Sequence, residues 1–411
     1  MQGQARSVVF VAPFLAETTQ RFIRAAANLA GVRLGLVSQD PPEHLPGDLR
    51  STLAAHWRVD DGMDPAHIAE AVRRLSRRIG PAQRLLGALE QLQVPLARVR
   101  EELGIEGMTV DVARNFRDKS RMKDVLRAAG IPCARHGLAH DGRQALGHAE
   151  RLGFPLIVKP PAGAAARGTF RLDDQQSLVQ CLEAMPPRAD DPLLLEEFIV
   201  GEEHSFDSVC LDGRMIWHSL THYRPGPLEV LRHPWIQWTV LLPREVDDPR
   251  YDDIRDVAAG ALRALGLHTG LTHLEWFRRP DGSVAVSEVA ARPPGAQFTT
   301  VMSYAHDLDF YEAWARLMIF ERFDPPARAY AAGIAFLRGQ GRGRVRSIRG
   351  LERAQREMGE LVVEVRLPRE GQQPASSYEG EGYVVLRHER TEVVAEALAR
   401  LVETVRVELE S

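Results

Sequence analysis

The hydrophobic pattern of this chain changes period several times, and each change marks an element. The apolar run in "SVVFVAP", the amphipathic "TTQRFIRAAANLA" and the apolar "GVRLGLVSQD" predict strand, helix and strand, the opening of a parallel α/β layer. Helical spacing returns in "AHIAEAVRRLSRRIG" and again from Gln83 to Leu103, where Pro95 interrupts it. From Asn115, "NFRDKSRMKDVLRAAGIP" reads as one helix closed by Gly130 and Pro132, with Asp118, Lys119 and Lys123 in its first turns. "RLGFPLIVKPPAGAAARGTFRL" predicts a buried strand, a loop of small residues and a second strand, and a helix from Asp174 to Met185 follows. "PLLLEEFIVGEEHSFDSVCLDGRMIWHSL" reads as strand, connector and a hairpin turning at Asp212-Gly213. Helix "DDIRDVAAGALRALG" precedes a further hairpin and helix "DFYEAWARLMIF" follows it. The tail from Tyr330 mixes strands ("AGIAFLRG", "LVVEVRLP", "GYVVLRHE") with the helix "EVVAEALARLVETV".

The hairpin between those helices, "THLEWFRRPDGSVAVSEVAARPPG", carries one glutamate in each half-buried strand. An Asp-Gly flanked by alternating apolar residues is a strong turn signal. A two- or four-residue loop, the latter favoured because Pro280 has no N–H, sets Glu275 directly opposite Glu288. His273 and Phe277 then share a face with Glu275, and Val286 and Ala290 with Glu288. A three- or five-residue loop breaks that pairing. Like charges opposed in a ladder cost about 0.2–1 kcal/mol, so a cation is expected between them. On the residues alone, a solvated face neutralised by Arg278, Arg279 or Arg292 competes with a magnesium site of hard oxygen ligands.

Composition narrows the partners. With 411 residues the chain has room for two or three domains, and 52 basic against 56 acidic residues give no electrostatic case for nucleic acid or an anionic membrane. The apolar run Val8 to Ala16 is broken by Pro13 and reads as a buried strand rather than a signal peptide, and no run approaches the length of a membrane span. Cys133, Cys181 and Cys210 lie far apart, without metal spacing, which suits a reducing cytoplasm.

Two more stretches carry chemistry. Lys159 ends the strand "PLIVK" and opens a loop with Gly163, Arg167 and Gly168, an arrangement suited to polyphosphate oxygens and equally to a snorkelling lysine beside a small-residue loop. In "LLLEEFIVGEEHSFD", the connector Glu196-Glu197-Phe198-Ile199 can offer amides to an adenine edge, and Glu203 can accept from ribose hydroxyls; a solvated acidic turn is the plain alternative. The first strand is not followed by Gly-x-Gly-x-x-Gly, so the dinucleotide fingerprint is absent.

In this order and at these distances, the segments resemble the ATP-grasp superfamily, and within it the carboxylate-amine ligases that include L-amino-acid ligases. The resemblance implies a mixed α/β and α+β ATP-grasp fold: a Rossmann-like lobe at 1–110, a lid and phosphate-loop subdomain at 111–200, and a catalytic subdomain at 201–411 with an α+β extension from about 330. It implies that Lys119 and Lys159 contact nucleotide phosphates, "EEFI" the adenine, Glu203 the ribose, and that Glu275 and Glu288 hold Mg2+ or Mn2+ carried with ATP. Arg292 matches an arginine near the acyl phosphate, which makes Arg292 and Lys159 the catalytic candidates. His222, Tyr223, Arg224, Trp235, Trp238 and His273 are candidates for substrate contact. Small carboxylate and amine substrates, amino acids foremost, are expected, and a homodimer is compatible with the pattern. Two departures stand out: Ala290 occupies a position where the family often has a metal-binding Asn, and Ala164, Ala165 and Ala166 replace loop glycines. They motivate one alternative, a nucleotide-binding sensor with weakened catalysis; a second alternative keeps the fold with other chemistry, such as biotin-carboxylase-like carboxylation.

Overall fold

The computed structural model describes residues 5–163, 168–233, 235–375, 377 and 379–410. Its four sheets use the predicted strands and add others that were not expected, among them Ala55–Arg58, Arg84–Leu86, His136–Ala139 and Trp238–Leu242. A parallel sheet runs in the order Ala55–Arg58, Val32–Ser38, Arg6–Val11, Arg84–Leu86, with the first strand entirely apolar and buried from Val8 to Val11. Buried on both faces, such strands read as continuous apolar runs rather than alternating ones. Gln83 to Leu103 is not one helix. Arg84–Leu86 completes the parallel sheet, and the helix is Gln93–Leu103, with Pro95 in its first turn, where the missing N–H costs nothing.

An antiparallel sheet follows, ordered His136–Ala139, Leu193–Glu197, Leu156–Lys159, Phe170–Leu172. The stretch from Asn115, expected to be one helix, is divided: Val110–Arg117 ends at Asp118, whose side chain accepts from the Ser120 and Arg121 amides and starts Lys119–Ala128. That N-cap breaks the helix and places Lys119 at the first position of the new one.

The largest sheet has eight antiparallel strands: Val284–Ala290, Gly270–Arg278, Glu202–Leu211, Arg214–Arg224, Trp238–Leu242, Ala331–Leu337, Gly382–His388 and Val362–Arg366. One face packs on Asp252–Leu265 through Leu274, Trp276, Val286 and Val289, leaving the other face of its first strands to line a cleft. A three-stranded sheet closes the tail. Among the described residues no helix is long and apolar enough to cross a membrane.

The hairpin carrying the two glutamates differs in detail from expectation. Arg279 N–H bonds to the Ser283 carbonyl and Gly282 sits at φ 83°, a three-residue loop with glycine in the left-handed position. By itself that loop would misalign the glutamates. A β-bulge at Ser287 restores the register, so that Glu275 pairs with Glu288 and His273 with Ala290, while Trp276 pairs with Val286. The extra residue reverses parity toward the turn. Val286 therefore points into the opposite core, and Ala285, packed with Phe277, takes the face expected of it.

Candidate active site

A cavity of about 810 Å3 opens where the two antiparallel sheets meet. Its floor is the ladder of three neighbouring strands, Glu202–Leu211, Gly270–Arg278 and Val284–Ala290. Glu275 and Glu288 lie there on one face with His273, Phe277, Ser287 and Ala290. The lid sheet contributes Lys159, Ile157 and Glu196, and helix Lys119–Ala128 contributes Lys119.

The positive group beside the glutamates is a lysine. Lys119 Nζ lies 2.8 Å from Glu288 Oε1 and also donates to the Gly163 carbonyl at 2.9 Å. Burial favours the neutral acid at Glu288, yet Lys119 and Lys159 outweigh it and hold the carboxyl down to about 2. Of the arginines considered as neutralisers, Arg278 pairs with Asp253 and Arg279 with Glu197 at 3.6 Å, whereas Arg292, paired with Glu90 at 3.0 Å, adds a smaller pull on Glu288.

Lys159, at its strand's end, pairs with Glu196 Oε2 at 3.0 Å, and fully buried Lys123 approaches Glu196 Oε1 at 3.4 Å. Burial opposes the Lys159 charge, while Glu196 and Glu288 raise its pKa. Lys123 also donates to the Ser287 carbonyl at 2.6 Å. It thereby satisfies the backbone group that the bulge frees from the ladder, and so pins the irregularity that aligns Glu275 with Glu288.

His273 sits between Asp207 Oδ1 at 2.7 Å and Glu275 Oε1 at 3.6 Å. Burial favours the neutral ring, but these two carboxylates lift its pKa to about 9, so it is an imidazolium at neutral pH. It fixes Glu275 and offsets part of the charge of the floor. At the other end of the cleft Glu203 faces Gly226, where a Cβ would lie 3.0 Å from its Oε2. Burial and the Glu275 charge raise Glu203 to about 8 against the pull of Lys159.

The connector from Glu196 does not act as four equivalent residues. Glu196 is the lysine counter-ion, Glu197 binds Arg135 at 2.6 Å, and Arg171 stacks over Phe198 at 4.3 Å. The Glu197 and Phe198 amides are taken by the Arg135 and Pro155 carbonyls, whereas Ile199 packs with Ala134 and Ala285 as an apolar wall. Gly163 and Gly168 flank the small-residue loop expected to meet phosphates, and Arg167 lies outside the described residues. Of the substrate candidates, Tyr223, Arg224, His222 and Trp238 line the cleft. His222 is tied to His204 and the Tyr251 hydroxyl, each at 3.0 Å, and Trp238 donates to the Pro225 carbonyl. Trp235 is 54% exposed, packs beside His233 and is not among the cleft-lining residues, because the chain past helix Pro227–Arg232 carries it to the surface.

Sequence reasoning named Lys123 without giving it a role, and missed Glu90, Arg117 and Asp207. Buried Glu90 comes from the parallel-sheet lobe and bridges Arg117 at 3.1 Å and Arg292 at 3.0 Å. Arg117 also binds the carbonyls of Ala162 and Gly163, so Glu90 links the small-residue loop to Arg292. Only the spacing of Asp207 opposite His273, once the ladder is assumed, could have flagged any of these.

Residues 124–304 match the model of the ATP-grasp domain. That segment carries the likeness to the ATP-grasp domain, and the relatives it brings in include carboxylate-amine ligases. The chain is 24% identical over 278 residues to an L-arginine-specific L-amino acid ligase of Bacillus subtilis, covering 65% of this chain and 66% of that one. The chain spans less than two thirds of that relative, and about half of a Mycobacterium D-alanine–D-alanine ligase to which it is 30% identical. The fold agrees with the crystal structure of an L-amino acid ligase from Bacillus licheniformis, with a TM-score of 0.78 at 19% identity over 99% of this chain and 100% of that one.

Proposed function

We propose that the protein is an ATP-dependent ligase that joins a small carboxylic acid to an amine, forming an amide or peptide bond and releasing ADP and phosphate. The observation that carries this reading is the ionised Glu288, opposite Glu275 on the cleft floor, with its charge met by a lysine that also holds the phosphate loop. Carboxylate oxygens without a thiolate or a cluster of three metal-binding side chains among the described residues suit magnesium, which keeps waters and binds phosphates alongside one or two carboxylates. Glu275 and Glu288 would hold it. When bound, the ion supplies charge neutralisation to the transferring phosphoryl group.

The chain's own groups do the rest. Lys119 and Lys159 bind phosphate oxygens, with Lys159 kept charged by Glu196. A substrate carboxylate oxygen attacks the γ-phosphorus, and the bond to the ADP oxygen breaks. Arg292, braced by Glu90, neutralises the acyl phosphate formed. The amine nitrogen then bonds to the acyl carbon, the carbon–oxygen bond to phosphate breaks, and the amine loses a proton. Ile199, Ala134 and Phe277 give the base an apolar wall, and Glu203 accepts from the ribose. Tyr223, Arg224 and His222 line the end left for the acid and amine.

The test is a screen of paired amino acids for phosphate release, with product masses measured. A condensed product that appears together with ADP supports the reading. ATP binding without phosphate release in every pair would sink it and favour a nucleotide-binding sensor, while turnover that requires bicarbonate would favour carboxylation.

A further inference from the structure

Behind Arg292 lies a second cavity of about 70 Å3, walled by strand Arg84–Leu86, helix Gln93–Leu103, the chain at Gly107 and the start of strand Gly270–Arg278. That volume admits roughly two waters or one small ion. Arg100 lines it and is only 6% exposed. Its Nε and Nη2 donate to the Leu85 carbonyl at 3.2 and 2.6 Å, whereas Nη1 has no partner among the described residues. Gly107 seals the side chain: at φ 147° its backbone passes so close that a Cβ would stand 2.8 Å from Arg100 Cδ.

Glu106 and Glu321 share the wall of this cavity, but they and Glu90 are committed to other cations. Glu106 at 2.7 Å and Glu321 at 3.4 Å pair with Arg84, and Glu90 pairs with Arg292. A buried guanidinium stays protonated near neutrality and is costly without a counter-charge. Burial and the neighbouring Arg84 lower the Arg100 pKa only to about 10, so its charge persists. A neutral water satisfies the open N–H but leaves that charge unbalanced.

We propose that this cavity binds one small monovalent anion, of the size of chloride, at the open Nη1 of Arg100. Arg292 and Pro293 form part of the same wall, so the bound anion would also back the segment that leads from the active-site hairpin. The site needs neither nucleotide nor turnover.

Crystals of the full chain grown without halide and soaked in bromide test this directly. We expect an anomalous peak within hydrogen-bonding distance of Arg100 Nη1. In solution, thermal unfolding is compared in sodium chloride and in sodium gluconate, an anion too large for the cavity, at equal ionic strength. Relative to Arg100→Gln, which removes the site but shares any general salt effect, the wild type should gain about 1–2 °C in chloride. If Arg100→Gln does not fold, the bromide soak of the wild type decides. A cavity holding water or nothing overturns the proposal. So does a peak without an Arg100-dependent chloride effect, which would mark an adventitious ion only.

Discussion

Glu196 and Glu288 are both carboxylates held ionised by lysines, one on the lid sheet and one on the floor sheet, but their surroundings differ. Glu196 has a side-chain exposure of 5% and is gripped by Lys123 and Lys159 together. Glu288 is 19% exposed, faces the cleft and has its direct ion pair with Lys119, while Lys159 acts on it from further away. A carboxylate between two buried cations is already neutralised, and removing its charge would take the ion-pair partner from both lysines. A carboxylate with one lysine partner and an open side can exchange that partner for an incoming cation while the lysine turns to phosphate. On the proposed function, the same chemistry yields a structural anchor in one sheet and a binding group in the other.

Glu288→Gln separates the two roles most sharply. It keeps shape and hydrogen bonding but removes the charge a divalent ion would need. ADP formation should fall by about 10^3-fold or more, with the circular dichroism spectrum unchanged; full turnover would refute the assignment. Glu196→Gln should act the other way round. It leaves Lys123 and Lys159 facing a neutral amide, so urea unfolding should show a loss of about 2–3 kcal/mol. An unchanged midpoint would mean that Glu196 is no anchor.

The hairpin shows how far the residues alone reach. The pairing of Glu275 with Glu288 was legible, but it arises from two features that were not: a three-residue loop and a bulge at Ser287 that cancels its shift. The loop follows from Pro280-Asp281-Gly282, with Gly282 at positive φ. The bulge depends on Lys123, whose ammonium comes from a helix more than 160 residues earlier to hold the Ser287 carbonyl. Local patterns do not contain such a contact. The first two strands of the parallel layer and the helix Asp252–Leu265 were readable because one face or one run is apolar, whereas the short outer strands Ala55–Arg58 and Arg84–Leu86 were not. Glu90 and Asp207 were invisible because each matters only through a partner in another lobe or strand.

Lys123→Met tests the bulge itself. An apolar stem of similar length fills the space but leaves the Ser287 carbonyl and one side of Glu196 unsatisfied. ATP turnover should drop about tenfold through misplacement of Glu288, with a smaller stability loss than in Glu196→Gln. Wild-type activity at reduced stability would show that the ladder keeps its register without the lysine.

Acid unfolding sharpens the contrast further. The Glu288 carboxyl has a folded pKa of about 2 against an ordinary 4.5. A depressed carboxylate stabilises the fold above its unfolded value, and that contribution is lost as pH falls from 4.5 towards 2. Glu288→Gln should therefore lose less stability than the wild type across that window. Parallel curves would mean that the Lys119 pair is too loosely held to matter.

The smallest effect concerns the missing amide. Ala290 is buried, lies opposite His273, and shares the cleft face with Glu288 two residues earlier. An Asn there would add a carbonyl oxygen beside the two carboxylates, at the cost of crowding the His273 ring that fixes Glu275. If the metal lacks only a ligand, Ala290→Asn should tighten magnesium activation by a few-fold, read as a lower half-saturating concentration in the phosphate-release assay. If His273 and the two glutamates already define the site, crowding dominates and the magnesium requirement rises instead. The direction of that shift tells whether His273 has taken over, by positioning Glu275, what an amide at position 290 would have supplied by ligation.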